Sequence, residues 1–364
     1  MRGVARRPLL VVVALAAAAA LAGCSSSSAV TGGAGPVTPS IDDVTPVANP
    51  LEWEGPSTAV PADSAIHPIT DGKQQLPATV VDTQGTSVTV DDTSRILALD
   101  IYGSLSRVVF ELGFGDQVVG RDISSGYPEI ADRPLVTENG HDLNAEAILS
   151  LAPTLIITDT SLGPWDVILQ MRDAGVPVVV VDPHRSIDGI PTLVDEVAAA
   201  LGVPDRGAKL VERTTATVDE TLAKIAGITP KSPDGRLRMA FLYVRGQAGV
   251  YYMFGEGSGV DSLIDALGGI DVATEIGWQG MRPITDEGLI AADPDLILMM
   301  TKGLESVDGV DGLLEHVPAV AQTEAGKHRR IVDMDDTQIL SFGPQTAAVL
   351  EALAVAIYAP DAAS

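Results

Sequence analysis

From residue 96 onward the chain alternates two patterns. Short, wholly apolar runs such as ILALDI, TLIITDT and VPVVVVD read as strands buried on both faces, and between them SLSRVVFELG and WDVILQMRDAG carry apolar positions at helical spacing. Ahead of these, residues 79–91 alternate apolar and polar positions around Gly85, the pattern of a short hairpin. The stretch 204–227 has no strand signal and places Leu210, Val211, Val218, Leu222 and Ile225 at helical spacing, which predicts one helix of roughly 35 Å. Beyond Arg236 the alternation resumes with RMAFLYV, GVDSLIDALGG, LILMMT, VDGLLEHVPAV and RIVDMD, and it closes on a helix at 345–358. Strand and helix in alternation predict an α/β fold with mainly parallel central sheets.

The two halves are related. EAILSLAPTLII from Glu146 and EGLIAADPDLIL from Glu287 align without a gap, Pro153 facing Pro294, and LGFGD at 112–116 matches LGGID at 267–271. The organisation predicted is a first lobe at 79–203, a linking helix at 204–227 and a second lobe at 228–364. In open α/β sheets ligands lie beyond the carboxyl ends of the strands, so two such lobes facing each other enclose a cleft.

Residues 1–23 hold three arginines, an apolar run at 9–22 and small residues before Cys24. This reads as a secretory signal, the apolar run falling short of the roughly 20 residues that span a bilayer. Small residues immediately before a cysteine resemble a lipobox, with Cys24 as the lipidated residue of the mature chain. The Ser-, Gly- and Pro-rich stretch that follows, 24–78, is expected to be a flexible tether with His67 solvated. In 364 residues there are 49 acidic and 23 basic side chains, a formal charge of -26. That balance excludes a nucleic-acid partner, which rewards clustered Lys and Arg. Neither GxSxG nor HExxH occurs and the single cysteine is assigned to the lipid, so a hydrolase is not indicated and the chain is not expected to be an enzyme.

Three segments, VVGRDISSGYP at 118–128, TENGHDLNAEAILSLAPTLIITD at 137–159 and FLYVRGQAGVYYMFGEGSG at 241–259, carry a family resemblance. Over 79–358 the chain resembles the substrate-binding lipoproteins of bacterial ABC importers, in the cluster with a single rigid helix between its lobes that delivers ferric siderophores, cobalamin and haem. Within that cluster it is most similar to haem-binding proteins of actinobacterial uptake systems. The resemblance implies haem b as the transported ligand, a permease dimer and haem or haem-donor proteins as partners, and lipid anchoring at the outer face of the cytoplasmic membrane. It leaves two alternatives: a ferric siderophore or cobalamin binder of the same class, and a surface haem store without a transporter.

Ferric haem takes one or two axial ligands, and a phenolate is a hard anionic donor suited to Fe(III). Met239, Phe241, Tyr243 and Arg245 fall on one face of a strand, so a guanidinium is expected beside the Tyr243 phenol, where a cation favours phenolate. The same pattern also suits a strand-end tyrosine whose arginine covers the sheet edge. His141, in a loop before a helix, is by the GHDLN match the second axial ligand; relatives from Gram-negative bacteria often carry a tyrosine there. Met300, with Met299 at a strand end, offers a soft thioether to a flat macrocycle or belongs to the core. Arg282 holds the repeat position of His141, preceded by Met281; with Arg121 it is a candidate for a haem carboxylate or an ordinary surface arginine. Glu146 and Glu287 begin equivalent helices, complement the helix dipole, and by resemblance dock on the two permease subunits. Gly255 to Gly259 reads as a close-approach turn with Ser258 or Asp261 near the following cap. His184, His316 and His328 have no supporting motif.

Overall fold

The computed structural model describes residues 37–62, 65–246 and 250–363; the signal sequence and Cys24 lie outside them. Among the described residues no helix is long and apolar enough to cross a membrane.

Three strands, Ile96–Leu99, Leu155–Thr158 and Val178–Val180, form a parallel sheet in that order. Every residue of the three is buried, as continuous apolar runs require when helices cover both faces. The hairpin read at 79–91 is present as Ala78–Val81 paired with Ser87–Val90, its turn made by Gly85 at φ 78°.

In the second lobe Ser57–Ala59, Ile331–Met334, Leu296–Met300 and Arg238–Val244 run parallel, and Tyr251–Phe254 and Met281–Pro283 extend the sheet antiparallel. A short strand, Ile270–Asp271, takes the first part of the free edge of Arg238–Val244. Between the lobes the helix Pro204–Ile228 buries Leu210, Thr214, Val218, Thr221 and Ile225, a stripe at helical spacing. It packs against the helices Ile190–Ala200 and Thr346–Tyr358. Gly207 permits the first approach, since a Cβ there would lie 2.5 Å from that of Ala198.

The stretch predicted as a tether is corrected from Val37 on. Ser57–Ala59 is the edge strand of the second lobe's sheet, Ile41 and Pro50 are buried, and the Thr38 N–H reaches the Val60 carbonyl at 2.9 Å. Residues 65–78 then strap the first lobe: Arg107 donates to the Ala65 carbonyl at 2.6 Å and Gln74 to that of Leu201 at 2.9 Å. Backbone pairing of a three-residue edge strand leaves no periodicity to read, and proline is tolerated beside it. His67 is exposed; its N–H donates to Glu111 and its carbonyl accepts from Arg213.

The internal repeat has a backbone counterpart. Asn144 caps Ala145–Ser150 through the Ala147 N–H, and Thr285 caps Asp286–Ala292 through that of Gly288. Each helix leaves through a non-glycine residue in left-handed conformation, Ala152 at φ 43° and Asp293 at φ 40°, followed by a buried proline and a strand.

Candidate functional site

Tyr243 is the penultimate residue of Arg238–Val244, half-buried on the sheet face that also carries Phe241. Antiparallel register sets Tyr252 directly beside it, ring centroids 6.4 Å apart and edge-on. On the other side Met299 pairs with Leu242, which brings Met300 alongside Tyr243. Met299 is fully buried on the opposite face, whereas half-buried Met300 packs against the same apolar cluster as Tyr243. A row of Tyr252, Tyr243 and Met300 therefore lines one face of the second lobe.

Arg245, just past the strand, lies over the Tyr243 ring with Cζ 5.1 Å from its centroid. Its Nη2 is ion-paired with Asp336, while its Nη1 is buried without a hydrogen-bond partner. Burial works against the charge, but Asp336 and Tyr243 more than offset it and hold the Arg245 pKa above its ordinary value.

His141 sits in the turn joining Thr137–Glu138 to Asp142–Leu143, where Asn139 (φ 49°) and Gly140 (φ 93°) take left-handed conformations. A Cβ on Gly140 would meet nothing, so it is the backbone conformation that calls for glycine. The imidazole is accessible but crowded by protein on its flanks. That reduced hydration and then the Arg245 charge lower its pKa, against the opposing pull of Asp142 and Asp336. The first lobe's histidine thus feels the second lobe's arginine and aspartate. At neutral pH it is a neutral imidazole with a lone pair to offer.

The other predicted residues divide. Met281 is 49% exposed and registers with Phe254, on the face of Tyr243. Arg282 registers with Met253 on the reverse face and stacks on Trp278 at 4.7 Å. Arg121 turns its Nη1 back to the carbonyls of Asp122 and Ser125, at 3.3 and 3.2 Å, bracing its own loop. Glu146 and Glu287 are both exposed in the first turn of their helices. Gly255 to Gly259 is a close-approach turn: a Cβ on Gly255 would strike the Trp278 carbonyl, and Ser258 and Asp261 bond back into the turn. His184 bonds Asp182 at an exposed corner, and His328 lies near Glu54 and Glu324.

Sequence reasoning missed a buried ionic cluster at the strand ends of the first lobe. Arg185 bridges Asp100 at 3.0 Å and Asp159 at 2.7 Å, and the Asp100 N–H donates to Asp122. Burial, then the Asp100 charge, push Asp122 up to about 7 and Asp159 up to about 6. Through Asp122, which accepts the Ser125 N–H at 2.8 Å, the cluster fixes the loop after Arg121. It also anchors the segment after Arg185, whose Ile187 N–H reaches Ser262 of the second lobe at 3.0 Å. Asp336 and Tyr252 were missed as well, and only the cross-strand position of Tyr252 offered a signal.

Known proteins resemble this chain over most of its length. The structure of the heme binding protein HmuT is 42% identical, with a TM-score of 0.81 over 85% of this chain and 99% of that one. Solved variants of HmuT replace a tyrosine, an arginine two residues after it, and a histidine by alanine. The periplasmic heme-binding protein RhuT from Roseiflexus sp. RS-1 is 38% identical, with a TM-score of 0.66 over 75% of this chain and 100% of that one. YvrC of Bacillus subtilis strain 168, an uncharacterized ABC transporter substrate-binding lipoprotein, is 24% identical over 83% of this chain and 91% of its own length. The model of the periplasmic binding protein family matches residues 101–337, which contain the linking helix and every cleft residue described above, so the chain belongs to that family.

Proposed function

We propose that this protein captures haem between its lobes, with Tyr243 and His141 as axial ligands of the ferric iron, and passes it to an ABC permease. The observation that carries this reading is the stacked Tyr243 and Arg245 pair, whose charge reaches His141 on the other lobe. A phenolate and a neutral imidazole are a ligand set for Fe(III) in a macrocycle, which needs donors only on its two faces. Tyr252, Met300 and Met281 supply the apolar and polarizable contacts a porphyrin takes. The histidine, tyrosine and arginine replaced in HmuT match this trio in type and, for the last two, in spacing, which supports the reading.

The role is transport rather than catalysis, outside the cytoplasm, with Cys24 as the lipid anchor. Glu146 and Glu287, exposed at equivalent helix starts, are the docking points for the two permease subunits. Haem is cargo, held and released. Titrating the purified mature protein with hemin and recording the absorption spectrum tests the proposal. A one-to-one or higher complex with a phenolate-ligated ferric spectrum is expected. Indifference to hemin together with binding of cobalamin or a ferric siderophore would overturn it.

A further inference from the structure

Asp336 belongs to no motif in the sequence, yet Arg245 is fixed through it. Its Oδ2 pairs with Arg245 Nη2 and its Oδ1 accepts the Lys302 backbone N–H at 2.9 Å, so both oxygens are committed. The aspartate side chain is only 12% exposed. The helix Thr301–Glu305 closes over the same guanidinium, and a Cβ on Gly303 would lie 2.9 Å from the Val244 carbonyl and 3.5 Å from Arg245 Nη1. Adjacent Thr337 packs on the first lobe, where a Cβ on Gly126 would lie 2.7 Å from its Cγ2. Arg245 is thus gripped from one side and laid over Tyr243 on the other, with Nη1 left unspent.

We propose that Asp336 is a positioning residue for haem ligation: it holds the Arg245 guanidinium over Tyr243, and without it that arginine leaves the ring. The inference rests on the haem-binding reading above and adds to it a residue that touches neither iron nor porphyrin. A charge-assisted hydrogen bond anchored at both ends is strong enough to fix a long side chain.

The test compares D336A, D336N, R245A and the D336A/R245A double variant. In the ligand-free proteins, 15N-detected spectra of the arginine Nη groups report whether Arg245 is held. In the loaded proteins, transfer of hemin to excess apomyoglobin gives the release rate. D336A is expected to lose the separately resolved Arg245 Nη signals, whose Cζ–Nη rotation the ion pair slows, and to release hemin about tenfold faster. D336N, which keeps an acceptor oxygen, is expected to release it about threefold faster, and D336A is expected to change nothing further once Arg245 is gone. A wild-type release rate in D336A, or an undiminished effect in the R245A background, would overturn the proposal. If D336A does not fold, D336N in both backgrounds carries the test: equal rates for D336N and wild type overturn it. Should the wild type take up no hemin, the haem reading fails by itself, and the ligand-free Arg245 signal still decides whether Asp336 holds the guanidinium.

Discussion

Arg245 lies 5.1 Å over the ring of Tyr243, two residues behind it in the chain. A strand alternates its faces, so a spacing of two returns a side chain to the same side, and here that geometry delivers a cation to a phenol. Replacing Tyr243 by Ala should therefore weaken hemin binding by about a hundredfold or more, close to 3 kcal/mol, with the fold intact. Soret titration with circular dichroism as the control measures this, and an unchanged affinity would remove Tyr243 from the ligand set.

His141 is expected to behave differently. In His141→Ala the iron keeps its phenolate, so hemin stays bound while the coordination number drops and release quickens. Electron paramagnetic resonance of the ferric complex reads the change directly; identical spectra in variant and wild type would exclude ligation by His141.

The lowered pKa of His141 has a pH consequence with a definite sign. A proton competes with iron for the imidazole only below that pKa, which lies under the ordinary value of about 6.5. The six-coordinate spectrum should accordingly persist as the pH falls from 8 through 6.5 and give way only at more acid pH. Loss of the histidine-ligated spectrum already at pH 7 would contradict the electrostatic environment described.

Asp122 and Asp159 make a prediction about stability. Their pKa values are raised in the fold, to about 7 and about 6, above the unfolded carboxyl value near 3.8. Between the unfolded and folded values the native state binds more protons than the unfolded one, so this contribution is lost as pH rises through the folded pKa. The melting temperature should rise on acidification from pH 8 towards 5.5, and the rise should shrink in Asp122→Asn. An equal pH slope in both proteins, by differential scanning fluorimetry, would assign the effect to other groups.

Docking can be separated from binding. Changing both Glu146 and Glu287 to Arg should leave hemin affinity untouched and abolish stimulated ATP hydrolysis by the reconstituted transporter, because charges at two separated points orient an encounter. Full stimulation by the double variant would move the hand-off surface elsewhere on the lobe rims.

Much of the molecule follows from local pattern. The buried runs 96–99, 155–158 and 178–180, the helix Pro204–Ile228 and the paired helix-to-strand units appear where the periodicity of apolar residues predicts them. Burial imposes a period of 2 or 3.6 on any sequence that folds into strands and helices, and that period is visible without coordinates. Tyr243 and Arg245 are legible for the same reason, the phenol on the strand and the guanidinium one residue past its end at a spacing of two.

Repeat symmetry misled where it was asked about side-chain direction. Arg282 occupies the repeat position of His141, but pairing with Met253 turns it to the reverse face of the sheet, onto Trp278. A register differing by one residue exchanges the faces, and register is decided by which strands meet.

Local pattern carries the set of elements, their kinship in two lobes and the phenol with its nearby cation. Only the folding of distant segments onto one another makes the segment near Ser57 complete the second lobe's sheet, lets Asp336 grip Arg245, and brings His141 within reach of both charges. Each of these joins residues far apart in the chain through backbone hydrogen bonds or charge. Such contacts recur at no period and so leave no pattern along the chain, whereas packing against a common core does.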